Sequence, residues 1–286
     1  MKSLIIGGSS NLGNHLVRSN LDKFDFTYFR NKKQNGIFFD ILEDKKKLPD
    51  LNKYKSVIIL SAISNPNVCQ DNPKYSNDIN VDATIDLIKF ISKFNLKIIF
   101  FSSEFIYDGI KGNYNENDPP NPINLYGRQK TKVENFILKN VKKYSILRIA
   151  KTYTNDLNDN SFFSFIYSEI IKQKKDNISI IDDEYFSPLH IDDLMKALFY
   201  SIENKVEILN VGGPERKSRL NCVNFFLDIT GNNLVKINLY KRKVGDNGVI
   251  IPKDVSFNVN KLREINRNMV TIKSFLKNKY RTNYEK

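Results

Sequence analysis

The sequence predicts an α/β fold, a doubly wound parallel sheet followed by a smaller C-terminal lobe. Three observations predict it. A short apolar run at Ser3–Ile6 leads directly into the glycine turn Gly7-Gly8-Ser9-Ser10-Asn11-Leu12-Gly13. Strand-like and helix-like segments then alternate to residue 150, the rhythm that builds a parallel sheet covered by helices on both faces. Beyond that point the segments shorten and mix, with no repeat or low-complexity linker between the parts. The chain therefore divides into a first unit over 1–150 and a smaller lobe over 151–286, intertwined with it.

Ser3–Ile6 is the first strand, and a helix runs from the glycine turn to Asn20. Phe24–Phe29 reads as the second strand. Ser56–Ala62 (SVIILSA) and Lys97–Ser102 (KIIFFS) are continuous apolar runs, the pattern of parallel strands buried on both faces. Between them, Asn77–Phe94 has helical periodicity, with Ile79, Ala83, Leu87 and Ile91 on one side. A long helix opens near Leu125, and Tyr144–Ile149 (YSILRI) is a further strand. The second half gives a helix over Phe162–Lys172, a loop at Tyr185–Pro188, a helix at Ile191–Ile202 and a short strand at Ile208–Val211. Helices at Asn221–Thr230 and Asn260–Lys277 finish the reading.

Composition narrows the function classes. Hydrophobic residues make up 41% of 286 residues, enough to build a large core. No apolar stretch has the length to cross a bilayer, and the N-terminus lacks the form of a signal peptide. Cys69 and Cys222 fit no metal, redox or disulfide spacing. A cytoplasmic protein without a membrane partner or metal is the expectation. The net charge of +13 comes from lysines scattered along the chain, with short runs at Lys45–Lys47 and Lys172–Lys175. Scattered charge reads as a solvated surface and not as a nucleic-acid face, although it favours phosphate-rich ligands.

The glycine turn lies between a buried strand and a helix, the Rossmann-type arrangement in which backbone approaches a pyrophosphate at a helix N-terminus. The candidate contacts are Gly7, Ser10, Asn11, Leu12 and Gly13; Ser10 stands where a middle glycine is usual. Sites for NAD place a carboxylate at the end of the second strand, on the ribose 2′-hydroxyl. Here Tyr28-Phe29-Arg30-Asn31-Lys32-Lys33 offers cations instead. Arg30 suits a 2′-phosphate, so the expected cofactor is NADPH, with NADH the alternative. Residues 1–150 thus read as the dinucleotide-binding unit and 151–286 as mainly substrate-binding.

Ser102-Ser103-Glu104 ends the KIIFFS strand, and Tyr126-Gly127-Arg128-Gln129-Lys130 opens the following helix. Four residues apart, Tyr126 and Lys130 share a helix face. A tyrosine of ordinary pKa, about 10, is a poor proton shuttle at neutral pH, and a neighbouring ammonium lowers that value. Ser103 on the adjacent strand end is placed to hold the substrate oxygen in line with the tyrosine.

This ordered set resembles the extended short-chain dehydrogenases/reductases, and within them the dTDP-4-dehydrorhamnose reductases. The resemblance runs through Ser102–Gly109, Asn117–Pro122, Leu125–Arg128, Leu147-Arg148, Ser187–Leu194, Asn210–Arg216 and Pro252–Ser256. It implies reduction of a keto group on a nucleotide-activated sugar, most simply a dTDP-4-keto-6-deoxyhexose, in deoxysugar or surface polysaccharide synthesis. Ser103, Tyr126 and Lys130 would be catalytic, with Tyr126 donating the proton and Lys130 holding the nicotinamide ribose. Asp40-Ile41 would lie beside the adenine and Ser61-Ala62 along the cofactor, with Asn80 matching a family asparagine. Ser103, Glu104, Glu215 and Arg216 would meet the substrate. Glu104-Phe105 lacks the second acid of the related dehydratases and the small neutral residues of the epimerases. Lys151 and Ile251 depart from the reductase pattern, which puts the particular sugar in question.

Two other readings stay open. One is an epimerase with tightly held NAD; the other is a non-catalytic regulatory subunit resembling the methionine adenosyltransferase β-subunit. His190 reads as structural, His15 as without function, and Asp192-Asp193 as a helix cap. Oligomeric state is left open by the sequence, a homodimer among the options.

Overall fold

A computed structural model describes residues 1–18, 20–159, 161–241 and 248–280. The first half follows the strand–helix rhythm. β1 (Lys2–Ile6), α1 (Asn11–Arg18), β2 (Phe24–Tyr28), a short β3 (Ile37–Phe38) and β4 (Tyr54–Ile59) come first. α2 (Pro66–Asp71) and α3 (Pro73–Asn77) lead through a π-helical turn, Asp78–Ala83, into α4 (Thr84–Ser92). β5 (Lys97–Ser103), α5 (Leu125–Asn140) and β6 (Tyr144–Ile149) complete the half. The second half contains β7 (Thr152–Tyr153), α6 (Phe162–Tyr167) extended by a π turn at Ser168–Lys172, and β8 (Asn177–Ile181). Then come β9 (Tyr185–Phe186), β10 (Leu189–His190), α7 (Ile191–Glu203), β11 (Ile208–Val211) and β12 (Lys217–Ser218). α8 (Arg219–Thr230), β13 (Lys236–Tyr240), α9 (Asn260–Ile265) and α10 (Ile272–Tyr280) complete the described residues.

Seven strands form one parallel sheet in the order β11-β6-β5-β4-β1-β2-β3. The strands are apolar on both faces because helices cover both. Leu4, Ile6, Val57, Ile59, Ile98 and Phe100 pack under α4 and α5, whereas Ile5, Ile58, Ile99 and Phe101 face α1 and α7. A third core, built from Phe163, Ile166, Ile180, Phe226 and Phe275 among others, fills the lobe and reaches Phe105 and Tyr126.

Some segments differ from the sequence expectation. Ile208–Val211 is a strand as expected, but it pairs with β6 as an edge of the main sheet. The chain thus returns to the first unit through α7 after entering the lobe. The segment over 260–277 is two helices and not one. Asp193 explains the break: fully buried, it accepts from the Asn266 side chain at 2.7 Å and the Val270 amide at 2.8 Å. The cap of α7 is His190, whose Nδ1 accepts the Asp192 amide at 3.3 Å, while the two acids occupy the first turn. Tyr185–Pro188, expected as loop, holds the two-residue strand β9, paired with β12. β8 and β13 pair in parallel as a separate two-stranded sheet.

One buried ion pair fastens α5 to the sheet. Arg148 on β6 donates to Glu134 on α5 at 2.8 Å, and both side chains are almost fully buried. Its other nitrogen donates to the Tyr107 hydroxyl at 2.8 Å and to the Glu116 carbonyl at 3.1 Å. Removing one partner of such a pair strands the other charge in a low-dielectric interior. Arg148→Met is expected to lower the unfolding free energy by about 3–5 kcal/mol in urea titrations; a loss below about 1 kcal/mol would show that the pair does not hold the helix.

Candidate active site

The site is built where β5 meets the start of α5. Ser103 ends the strand, and its Oγ accepts the Phe105 amide at 3.2 Å, capping a 3₁₀ turn over Glu104–Ile106. Asn124 caps α5 through the Gly127 amide at 2.9 Å. A side chain at Gly127 would place its Cβ 2.0 Å from the Phe105 carbonyl oxygen. Glycine there lets the first turn of α5 lie on the 3₁₀ turn and brings Tyr126 to Ser103.

Tyr126 is 7% exposed, and its ring meets Phe105 edge-on at 6.3 Å. Burial raises its pKa well above the ordinary value, and the Ser103 hydroxyl opposes that in part. One turn along, Lys130 is buried, donates to the Phe101 carbonyl at 2.8 Å and lies 5.8 Å from the Tyr126 ring. Burial lowers its pKa to about 8. The expected depression of the tyrosine by its lysine is therefore corrected: desolvation dominates, and the phenol is held protonated, the form an acid needs.

The glycine turn follows β1, two strands away from β5 in the same sheet. Gly7 takes φ +86°, a left-handed conformation open to glycine, and its amide donates to the Thr27 hydroxyl at 3.0 Å. Ser10, at the unusual position, accepts the Gly13 amide at 3.0 Å and so satisfies one free N–H of α1. A cavity of ≈ 260 Å³ opens over this turn. Of the expected residues, Gly7, Ser10, Arg30, Asp40, Ile41, Ser61 and Ala62 line it, while Asn11, Leu12, Gly13, Tyr126 and Lys130 do not. Arg30 is exposed at its rim with its guanidinium 5.9 Å from the Phe29 ring. Asp40, a lining carboxylate, accepts the Leu42 amide at 3.0 Å. A glycine turn at the N-terminus of α1, opening on this cavity, suits a dinucleotide.

Asn80 binds the two regions together. It is buried, accepts the Ile63 amide at 2.8 Å, and donates to the Ile63 carbonyl at 3.0 Å and to Gln129 on α5 at 2.7 Å. It sits in the π turn, whose extra residue re-aims it toward the strand end. Sequence reasoning missed Ile63 and Tyr75 as lining residues, because each lies on a loop or helix with no motif of its own.

A second cavity, of ≈ 530 Å³, lies in the lobe, lined by Lys151, Arg219, Phe162, Phe186, Ile180 and Tyr240 among others. Glu104 stands behind its wall, 2% exposed, with Oε2 accepting the Lys151 amide at 3.3 Å. Burial raises the Glu104 pKa to about 7, with Lys151 pulling it back. Glu215 and Arg216 line neither cavity. Glu215 pairs with Lys217 at 3.0 Å, and Arg216 pairs with Asp254 at 2.8 Å while stacking 3.8 Å from the Tyr185 ring. Arg216 fastens the 252–256 loop to the lobe, whereas the Glu215 pair is local. His190 is buried against Tyr153 and Phe275, and burial lowers its pKa. Among the described residues no His, Cys, Asp or Glu group could hold a metal, and no helix is long and apolar enough to cross a membrane.

Residues 1–238 match the family described as the RmlD substrate binding domain. Methionine adenosyltransferase 2 subunit beta of Bos taurus is 34% identical over 97 residues, which is 34% of this chain and 29% of that protein. The match thus spans under a third of that relative's length. A Methanocaldococcus jannaschii protein provisionally named UDP-glucose 4-epimerase is 28% identical over 249 residues, 79% of this chain and 80% of that one. The fold resembles that of dTDP-4-dehydrorhamnose reductase from Bacillus anthracis, a structure in complex with NADP. The TM-score is 0.79 and the identity 20%, over 99% of this chain and 100% of that one.

Because its folded pKa is raised, Glu104 binds a proton in the native state that it has lost when unfolded, between the ordinary carboxylate value and about 7. Stability falls as pH rises through that window, by about 3 kcal/mol for this group alone. Urea unfolding of the wild type is expected to weaken from pH 5 to 8 relative to Glu104→Gln; parallel pH profiles would refute the assignment.

Proposed function

Because the chain belongs to the RmlD substrate binding domain family, we propose that it reduces the keto group of a nucleotide-activated sugar with a nicotinamide cofactor, NADPH by preference. One observation carries this reading: Ser103, Tyr126 and Lys130 converge at the end of β5 and the first turns of α5. The nicotinamide nucleotide, when bound, supplies the hydride. Tyr126, kept neutral by burial, gives its proton to the sugar oxygen, which the Ser103 hydroxyl orients. Lys130 would hold the nicotinamide ribose, and Arg30 would hold a 2′-phosphate by charge-assisted hydrogen bonds. A dTDP-4-keto-6-deoxyhexose is the first substrate to try, with the 151–286 lobe closing over it.

The regulatory reading is favoured by the stretch shared with methionine adenosyltransferase 2 subunit beta. A stable complex with a catalytic adenosyltransferase subunit, together with no turnover of any keto sugar, would establish it. The epimerase reading would show as NAD retained through purification.

Absorbance at the reduced-nicotinamide band should fall when NADPH is mixed with the protein and a panel of 4-keto-6-deoxy nucleotide sugars. No oxidation with any of them, despite cofactor binding, would overturn the reductase reading. Tyr126→Phe is expected to cut turnover by about 10²–10⁴-fold while NADPH binding persists; near-normal turnover would refute the acid role. Arg30→Ala should narrow any preference for NADPH over NADH about tenfold or more, read as the ratio of kcat/KM values.

A further inference from the structure

Lys151 and Arg219 are the only charged side chains lining the ≈ 530 Å³ cavity among the described residues. The carboxylates that balance them are withdrawn behind the wall. Glu184 takes the Lys151 ammonium at 3.4 Å on one oxygen and the Arg219 Nε on the other, and its side chain is 5% exposed. Lys151 and Arg219 keep 29% and 18% of their side chains exposed. Glu104 accepts only the backbone of Lys151 and stands deeper still. One carboxylate bridging two cations fixes them side by side, and both partly exposed side chains line the cavity. Aromatic faces hem them in: Lys151 is 5.6 Å from the Phe105 ring and 5.4 Å from Phe186, and Arg219 is 4.7 Å from Phe162.

Two cations sharing one bridging carboxylate leave residual positive charge on a cavity wall otherwise lined by apolar and neutral polar groups, which favours an anionic ligand. Phe105 packs on Tyr126, so this wall is one residue removed from the proposed acid. We propose that Lys151 and Arg219 form a seat for an oxyanion of the substrate, either a carboxylate on the sugar ring or the diphosphate that joins sugar to nucleotide. This rests on the sugar-nucleotide reading above and names the charge its substrate carries at this wall. Lys151, a departure from the reductase pattern, then selects an anionic group over an apolar one.

Calorimetric titration of the full chain with UDP, dTDP, UDP-glucose and UDP-glucuronate tests the seat. Lys151→Met and Arg219→Met are expected to weaken binding about ten- to hundredfold, the loss of one charged hydrogen bond. A loss shared by all four probes assigns the seat to the diphosphate; a loss confined to UDP-glucuronate assigns it to the ring carboxylate. Because Lys151→Met leaves Glu184 less compensated, the double variant Lys151→Met/Glu184→Gln, which removes opposite charges together, is titrated alongside. Wild-type affinity for every probe in the single or double variants would overturn the seat, as would failure of all four probes to bind the wild type. Turnover of the keto-sugar panel is measured alongside. Keto-sugar reduction with unweakened binding in the variants sinks the seat alone, whereas weakened binding without any turnover sinks the reductase reading alone.

Discussion

The buried pair of Arg148 and Glu134 is the constraint on which the site depends. Tyr126, Lys130 and Glu134 are spaced four apart along α5, so they form one stripe facing the sheet. Arg148 holds the far end of that stripe, and Gly127 lets the near end rest on the turn after β5. With both ends fixed, the helix cannot rotate without stranding a charge or driving a side chain into a carbonyl. Tyr126 and Lys130 are thereby positioned by groups that never touch a ligand.

From that helix the two halves of the site diverge. Gln129, on the same helix, reaches Asn80 and through it the strand end that borders the glycine turn. On the other side, Phe105 and Glu104 pass the geometry of the β5 end to the lobe. Burial sets the electrostatics on both sides. It keeps the phenol protonated, weakens the hold of Lys130 on its proton, and brings Glu104 to titrate near neutrality. Each shift has the same origin, removal of a charge from water at the sheet's carboxyl edge.

The sequence made the first half legible because its signals are local. SVIILSA, KIIFFS and YSILRI announce strands buried on two faces, and the spacing of Tyr126 and Lys130 needs only a helix. Gly7, Ser10 and Arg30 could be placed by their distance from the first two strands, and Asp40 only through the family resemblance. The lobe was less legible because it is assembled from distant pieces. Nothing in 177–181 or 236–240 says that these strands pair, and the break after Ile265 depends on Asp193 more than seventy residues earlier. Lys151, Glu184 and Arg219 become a cluster only through tertiary packing. Glu215 and Arg216 carried a family likeness, but only tertiary packing shows Arg216 paired with Asp254 and Glu215 with Lys217.

The central claim is that this helix delivers a proton to a sugar carbonyl while hydride comes from a nicotinamide. NADPH deuterated at the transferred position, incubated with the keto sugar that supports oxidation, tests it most directly. The account predicts one deuterium, on the carbinol carbon of the product, by mass spectrometry and NMR. Product without deuterium at that carbon, or sugar recovered as an unlabelled epimer with the cofactor still reduced, would contradict it.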